Sequence, residues 1–173
     1  MTTTETTIAT KLPPIDATRA AVVAEAGGEI TALDPIGVQV SGIDLTATDT
    51  LSPDLVDVLE REMAERGFLV FKNDSELSPD DFLRASCLFG GRELHSTHGV
   101  HPQTPGGNRH IFRLSNDERY GIPDVGPQWH NDGSFLPATF SHSGYHIIRP
   151  AERGGGTHFA HQGLAFAALP EDR

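Results

Sequence analysis

Two copies of one tripeptide, Ser52-Pro53-Asp54 and Ser78-Pro79-Asp80, constrain this chain more than any other feature. Each offers a hydroxyl N-cap, a proline at the first helical position where no amide donor is needed, and an acid that favours the positive end of the helix dipole. After the first, Leu55, Leu59 and Met63 recur at four-residue spacing and Gly67 supplies a left-handed stop. The second is expected to run from Pro79 to about Leu88, burying Phe82, Ala85 and Phe89, and to stop at Gly90-Gly91. Between the two helices lies Phe68-Leu69-Val70-Phe71, short, wholly apolar and bounded by Gly67 and Asn73-Asp74, which reads as a buried central strand.

The flanks follow from this helix–strand–helix unit. In residues 29–45, Ile30, Ile36, Val38, Val40 and Ile43 are interleaved with polar residues and glycines, a pattern for an opening hairpin or sheet edge. The stretch up to about Thr18 is polar and carries Pro13-Pro14, so residues 1–28 are expected to be a mobile lead-in and residues 29–173 one domain. Beyond Gly91, His95, His98 and His101 sit among Gly99, Pro102 and Pro105, which is loop chemistry. Strand patterns return at residues 110–114, 143–149 and 157–160, followed by a short helix over 162–169. The class expected is α+β, helices packed on an antiparallel sheet or barrel.

Charge narrows the partners. Against 24 Asp and Glu stand 13 Lys and Arg, a net charge of −11, with no basic run, so nucleic acid is not an expected partner. No stretch approaches the roughly 18 apolar residues of a membrane span, and the first eleven residues lack the apolar core of a signal peptide, which points to a cytoplasmic protein and no membrane partner. The single cysteine, Cys87, forms neither an internal disulfide nor a cysteine zinc cluster.

The segment that carries chemistry is Gln128-Trp129-His130-Asn131-Asp132-Gly133-Ser134-Phe135. On an extended backbone, residues two apart share a face, so the His130 imidazole and the Asp132 carboxylate converge. One nitrogen and one hard oxygen make half a site for a divalent first-row metal. Alone, the pair has a bland reading as a surface His and Asp beside a turn, since about 0.7 such pairs arise by chance in a chain of this composition. Trp129 and Phe135 read as packing residues around it.

Taken in order, Trp129-His130-x-Asp132-x-x-Phe135, an apolar strand, and Gly154-Gly155-Gly156-Thr157-His158-Phe159 resemble the Fe(II)/2-oxoglutarate-dependent dioxygenases of the TauD/TfdA (taurine dioxygenase-like) family. Upstream, residues 36–45, residues 67–71 and Phe89-Gly90 with Glu93-Leu94-His95 extend the resemblance to about residues 30–172. It implies a double-stranded β-helix, or jelly-roll, core with flanking N-terminal helices. It also implies Fe(II) held by His130 and Asp132 as two members of a 2-His-1-carboxylate triad. 2-Oxoglutarate and O₂ would be cosubstrates, with the Thr157 hydroxyl on the distal carboxylate of 2-oxoglutarate. The reaction implied is hydroxylation of a small molecule with release of succinate and CO₂, and His95 would be a substrate contact. In this family the second histidine ligand and an arginine for 2-oxoglutarate lie downstream of the Gly-Gly-x-Thr segment. The domain is therefore expected to be incomplete at its C-terminus and to need a complementing C-terminal segment or a homo-oligomer. The other reading is a non-catalytic truncated homologue that serves as a binding or partner-dependent module.

Overall fold

The computed structural model describes residues 12–73, 75–90 and 100–170. The chain divides into two compact units, one formed by residues 1–75 with 149–173 and the other by residues 76–148.

The first unit is built on three strands, β1 (Glu29–Ala32), β2 (Val38–Ser41) and β3 (Leu69–Lys72), in the order β1-β2-β3. β1 and β2 are antiparallel, with Ile30 opposite Val40, which is the hairpin the alternation predicts. β3 runs parallel to β2, with Val38 opposite Leu69 and Val40 opposite Phe71. Parallel neighbours need a long crossover, and here it contains helix α2 (Pro53–Arg66). The start of α2 is capped as its sequence requires: Ser52 Oγ accepts from the Leu55 amide at 3.2 Å, and Pro53 occupies the first turn. It ends at Gly67, whose φ of +97° suits glycine far better than any residue with a Cβ.

Val23, Val38, Val40, Leu55 and Leu59 are wholly buried and form the centre of the core. Burying side chains of this size stabilises the fold by about 1.5–3 kcal/mol each. The apolar strand residues 68–71 differ from their expected central position: β3 is an edge of the sheet and only half-buried, and β2, paired on both sides, is central. Apolarity on both faces marks a strand that avoids water. It does not say how many neighbours that strand has.

A second difference lies inside the expected lead-in. Residues 17–25 form helix α1 (Ala17–Glu25), started by Asp16 Oδ1, which accepts from the Thr18 and Arg19 amides at 2.9 and 3.3 Å. What holds α1 against α2 is ionic as well as apolar. Glu62 and Arg66 are buried on α2, while Met63, expected on the inner face, is half-buried. Arg66 Nε donates to Glu62 Oε2 at 2.6 Å, Arg19 Nη1 donates to Glu62 Oε1 at 2.8 Å, and Arg66 Nη2 donates to the Pro13 carbonyl at 2.6 Å. Every charge taken out of water here has a partner, which is the condition on which buried ions are tolerated.

Residues from 149 onward complete this unit. Helix α4 (Gln162–Ala167) falls within the expected 162–169 and is capped by His161, whose Nδ1 accepts from the Leu164 amide at 3.2 Å. The Phe159 ring stacks on Phe68 at 4.6 Å. Residues 157–160, expected as a strand, join no ladder.

In the second unit, helix α3 (Pro79–Ser86) starts as expected, with Ser78 Oγ accepting from the Asp81 amide at 3.1 Å. It is shorter than predicted, and Phe82, Ala85 and Phe89 are half-buried rather than core residues. The strand expected over 110–114 reduces to one isolated bridge, Leu114 to Ile122, and residues 143–149 form no ladder among the described residues. Alternating apolar residues suit a ladder, but a strand exists only with a partner to pair with. The α+β class therefore stands with one three-stranded sheet, and no second sheet faces it among the described residues. No described helix is long and apolar enough to cross a membrane.

Candidate metal centre

His130 and Asp132 meet in the second unit. His130 Nε2 lies 3.1 Å from Asp132 Oδ1, with the two side chains 51% and 35% exposed. The convergence comes from a turn that begins at Asp132 and not from an extended strand.

The partner of the other ring nitrogen decides what that 3.1 Å contact means. His130 Nδ1 is 2.7 Å from the Gln128 carbonyl oxygen. A carbonyl can only accept, so Nδ1 carries a proton. In the neutral ring Nε2 then has a bare lone pair, and it faces a carboxylate oxygen that is also electron-rich. Two acceptors at this distance repel unless a cation lies between them, either a second proton on the ring or a metal ion. The hydrogen bond to the Gln128 carbonyl is the largest influence and holds the His130 pKa above its ordinary value; burial opposes it, and the charge and hydrogen bond of Asp132 add to the rise. The pocket between these two side chains thus favours positive charge.

The donor set also fits a metal. His130 Nε2 and Asp132 Oδ1, one nitrogen and one hard oxygen 3.1 Å apart, would both be able to hold a first-row divalent ion. The proton on Nδ1 leaves Nε2 as the ligating atom, the tautomer that a carbonyl partner ordinarily enforces on metal-binding histidines.

Two residues that spacing alone does not single out complete the geometry. Tyr145 Oη donates to Asp132 Oδ2 at 2.6 Å. This hydrogen bond is the main reason the Asp132 carboxyl titrates below its ordinary range, with the Ser143 hydroxyl and the His130 ring adding to it. Partial burial, and then the bond to Asp132, push the Tyr145 phenol up to about 12, so it remains a donor at neutral pH. Gly126 is the other. A Cβ at its position would stand 2.8 Å from His130 Cε1, so the backbone approaches the imidazole closer than any side chain would permit. A glycine two residues before Gln128 was visible in the sequence, but nothing local tied it to the ring.

Trp129 and Phe135, expected to pack, are each 73% exposed, because no described element covers the turn that carries them. Thr157 is exposed and belongs to the other unit, in the stretch beyond Arg149. His95 and His98 lie outside the described residues. Three of the remaining described histidines, His142, His146 and His161, have other contacts. The His142 ring lies 5.6 Å from Phe89 and the His146 ring 5.5 Å from Phe82, both rings turned to the helix α3 region. His161 caps α4 through one nitrogen and donates to the Glu65 carbonyl at 3.1 Å through the other. Among the described residues, no three His, Cys, Asp or Glu side chains cluster as a metal site.

An α+β protein with a nitrogen–oxygen pair brought together at a turn, His130 beside Asp132, is the class this geometry defines. The sequence matches the family described as "Taurine catabolism dioxygenase TauD, TfdA family" over residues 29–173, and the chain belongs to that family. The family is in general one of Fe(II)/2-oxoglutarate-dependent dioxygenases. No solved structure matches the chain.

Proposed function

We propose that residues 29–173 form part of a jelly-roll oxygenase that binds Fe(II) through His130 Nε2 and Asp132 Oδ1 and hydroxylates a small molecule. The observation that carries the reading is the 3.1 Å approach of these two atoms with His130 Nδ1 already committed to Gln128, in a chain of this family. When bound, Fe(II) with 2-oxoglutarate and O₂ supplies oxidative decarboxylation to succinate and CO₂ coupled to insertion of oxygen into a C–H bond. The chain's own residues bind and orient. His130 gives a neutral nitrogen whose tautomer is fixed by the Gln128 carbonyl. Asp132 gives a charged oxygen while its other oxygen is occupied by Tyr145. The exposed Thr157 hydroxyl is suited to donate to a carboxylate, and in this reading it holds the distal carboxylate of 2-oxoglutarate. His95 is the proposed substrate contact.

The test is spectroscopic. Under anaerobic conditions, Fe(II) with 2-oxoglutarate should give the folded protein a weak metal-to-ligand absorption band, and His130→Ala should abolish it. A folded wild-type chain that shows no band overturns the catalytic reading in favour of a non-catalytic module of the same ancestry.

A further inference from the structure

We infer that Tyr145 is a positioning residue for the cation site: by holding one oxygen of Asp132, it leaves the other as a single, fixed ligand. The inference rests on the reading of His130 and Asp132 as metal ligands.

A carboxylate on an exposed turn rotates readily about its last bond, since that torsion is broad and close to two-fold. Left alone, Asp132 would offer either oxygen, or both, to a cation. In this structure its two oxygens have different partners. Oδ2 accepts the Tyr145 hydroxyl proton at 2.6 Å, a short bond of the kind ionised acceptors make, and Oδ1 faces His130 Nε2 at 3.1 Å. His130 is held the same way from its far side, by the Gln128 carbonyl on Nδ1. Each ligand therefore has one atom directed to the shared point and another anchored away from it. Monodentate attachment matters because each site on a cation taken by a second Asp132 oxygen is a site lost to other ligands. Tyr145 comes thirteen residues after Asp132, on a segment where the sequence signals only a strand.

Co(II) serves as the probe, since its visible absorption reports both affinity and coordination. Titrating the full chain with Co(II) alone, Tyr145→Phe should raise the dissociation constant about 10- to 100-fold, the usual effect of removing a partner of a metal ligand. It should also alter the Co(II) band shape, with the melting temperature of the metal-free protein unchanged. In an Asp132→Asn background, Tyr145→Phe should have no further effect, because Tyr145 acts only through that carboxylate. Equal Co(II) affinity and spectra for wild type and Tyr145→Phe overturn the inference, and so does an equal loss in both backgrounds, which marks a general structural role. A wild-type chain that takes no Co(II), or an Asp132→Asn chain that binds as tightly as wild type, removes the ligand reading itself, a result distinct from failure of Tyr145 alone.

Discussion

In the sheet-and-helix layer of residues 12–73, Val38, Val40, Leu55 and Leu59 are wholly buried, whereas in residues 76–148 Trp129 and Phe135 are each 73% exposed and Ile147 is 66% exposed. Among the described residues nine apolar side chains are buried, and of these only Leu77 lies in the second unit. Both regions contain apolar stretches of similar quality. The difference is in what the chain supplies nearby. β1, β2, α2 and β3 follow one another closely, so each apolar face finds its cover within a few tens of residues. Residues 143–149 find no ladder partner among the described residues, and Ile147 and Ile148 stay exposed. The candidate cation site belongs to this second, less covered region, and it is held by polar contacts at a turn rather than by a packed core.

The comparison can be broken at several points. The largest effect is expected from the buried ions. Glu62→Ala removes the carboxylate between Arg19 and Arg66, leaving Arg66 buried without its charge partner, and should destabilise by about 3–5 kcal/mol in urea denaturation. A loss below about 1 kcal/mol would mean that apolar contact alone joins α1 to α2.

Leu59→Ala, in the covered layer, should lose about 2–5 kcal/mol. Ile147→Ala, in the exposed one, should stay within about 0.5 kcal/mol of wild type. Equal losses at the two positions would erase the distinction between the regions.

The smallest effect concerns acid. Arg19 holds the Glu65 carboxylate by two hydrogen bonds of 2.7 and 2.8 Å and keeps its pKa below the ordinary 4.5. A folded pKa that is depressed gives stability present in full above the unfolded value and lost as pH falls through the folded one. Glu65→Gln should therefore narrow the gap to wild type as pH drops from about 5 toward 3, read from urea midpoints across that range. A gap that widened on acidification would reverse the assigned sign.

The two Ser-Pro-Asp starts were legible because caps act within one turn: the hydroxyl, the proline and the amide they serve are at most three residues apart. The β1–β2 hairpin was legible for a related reason, its alternation being local. Helix α1 was not, because its ionic anchor pairs Arg19 with Glu62, 43 residues away. Nor was the burial of Glu62, which reads as a solvent-facing acid until Arg66 and Arg19 close on it. At the site, His130 and Asp132 could be named from two-residue spacing and family resemblance. Gly126 could not be tied to the ring, since only the folded loop brings it so near that a Cβ there would stand 2.8 Å from His130 Cε1. Tyr145 was hidden for the same reason, as the contact spans thirteen residues with no repeating pattern to announce it.

The sequence by itself determined where α2 and α3 begin, that residues 29–45 open the fold as a hairpin or sheet edge, the family, and the two residues, His130 and Asp132, that meet at the candidate site. Those features depend on interactions a few residues long or on ordered motifs, and such information is carried in the chain whatever its distant parts do. The tertiary structure alone decided that β2 and not β3 is central, that Glu62 and Arg66 lie inside, and that Asp132 has one oxygen held by Tyr145. Each of these depends on which remote groups are brought within about 3 Å, and hydrogen bonds and ion pairs lose their directional force beyond that range.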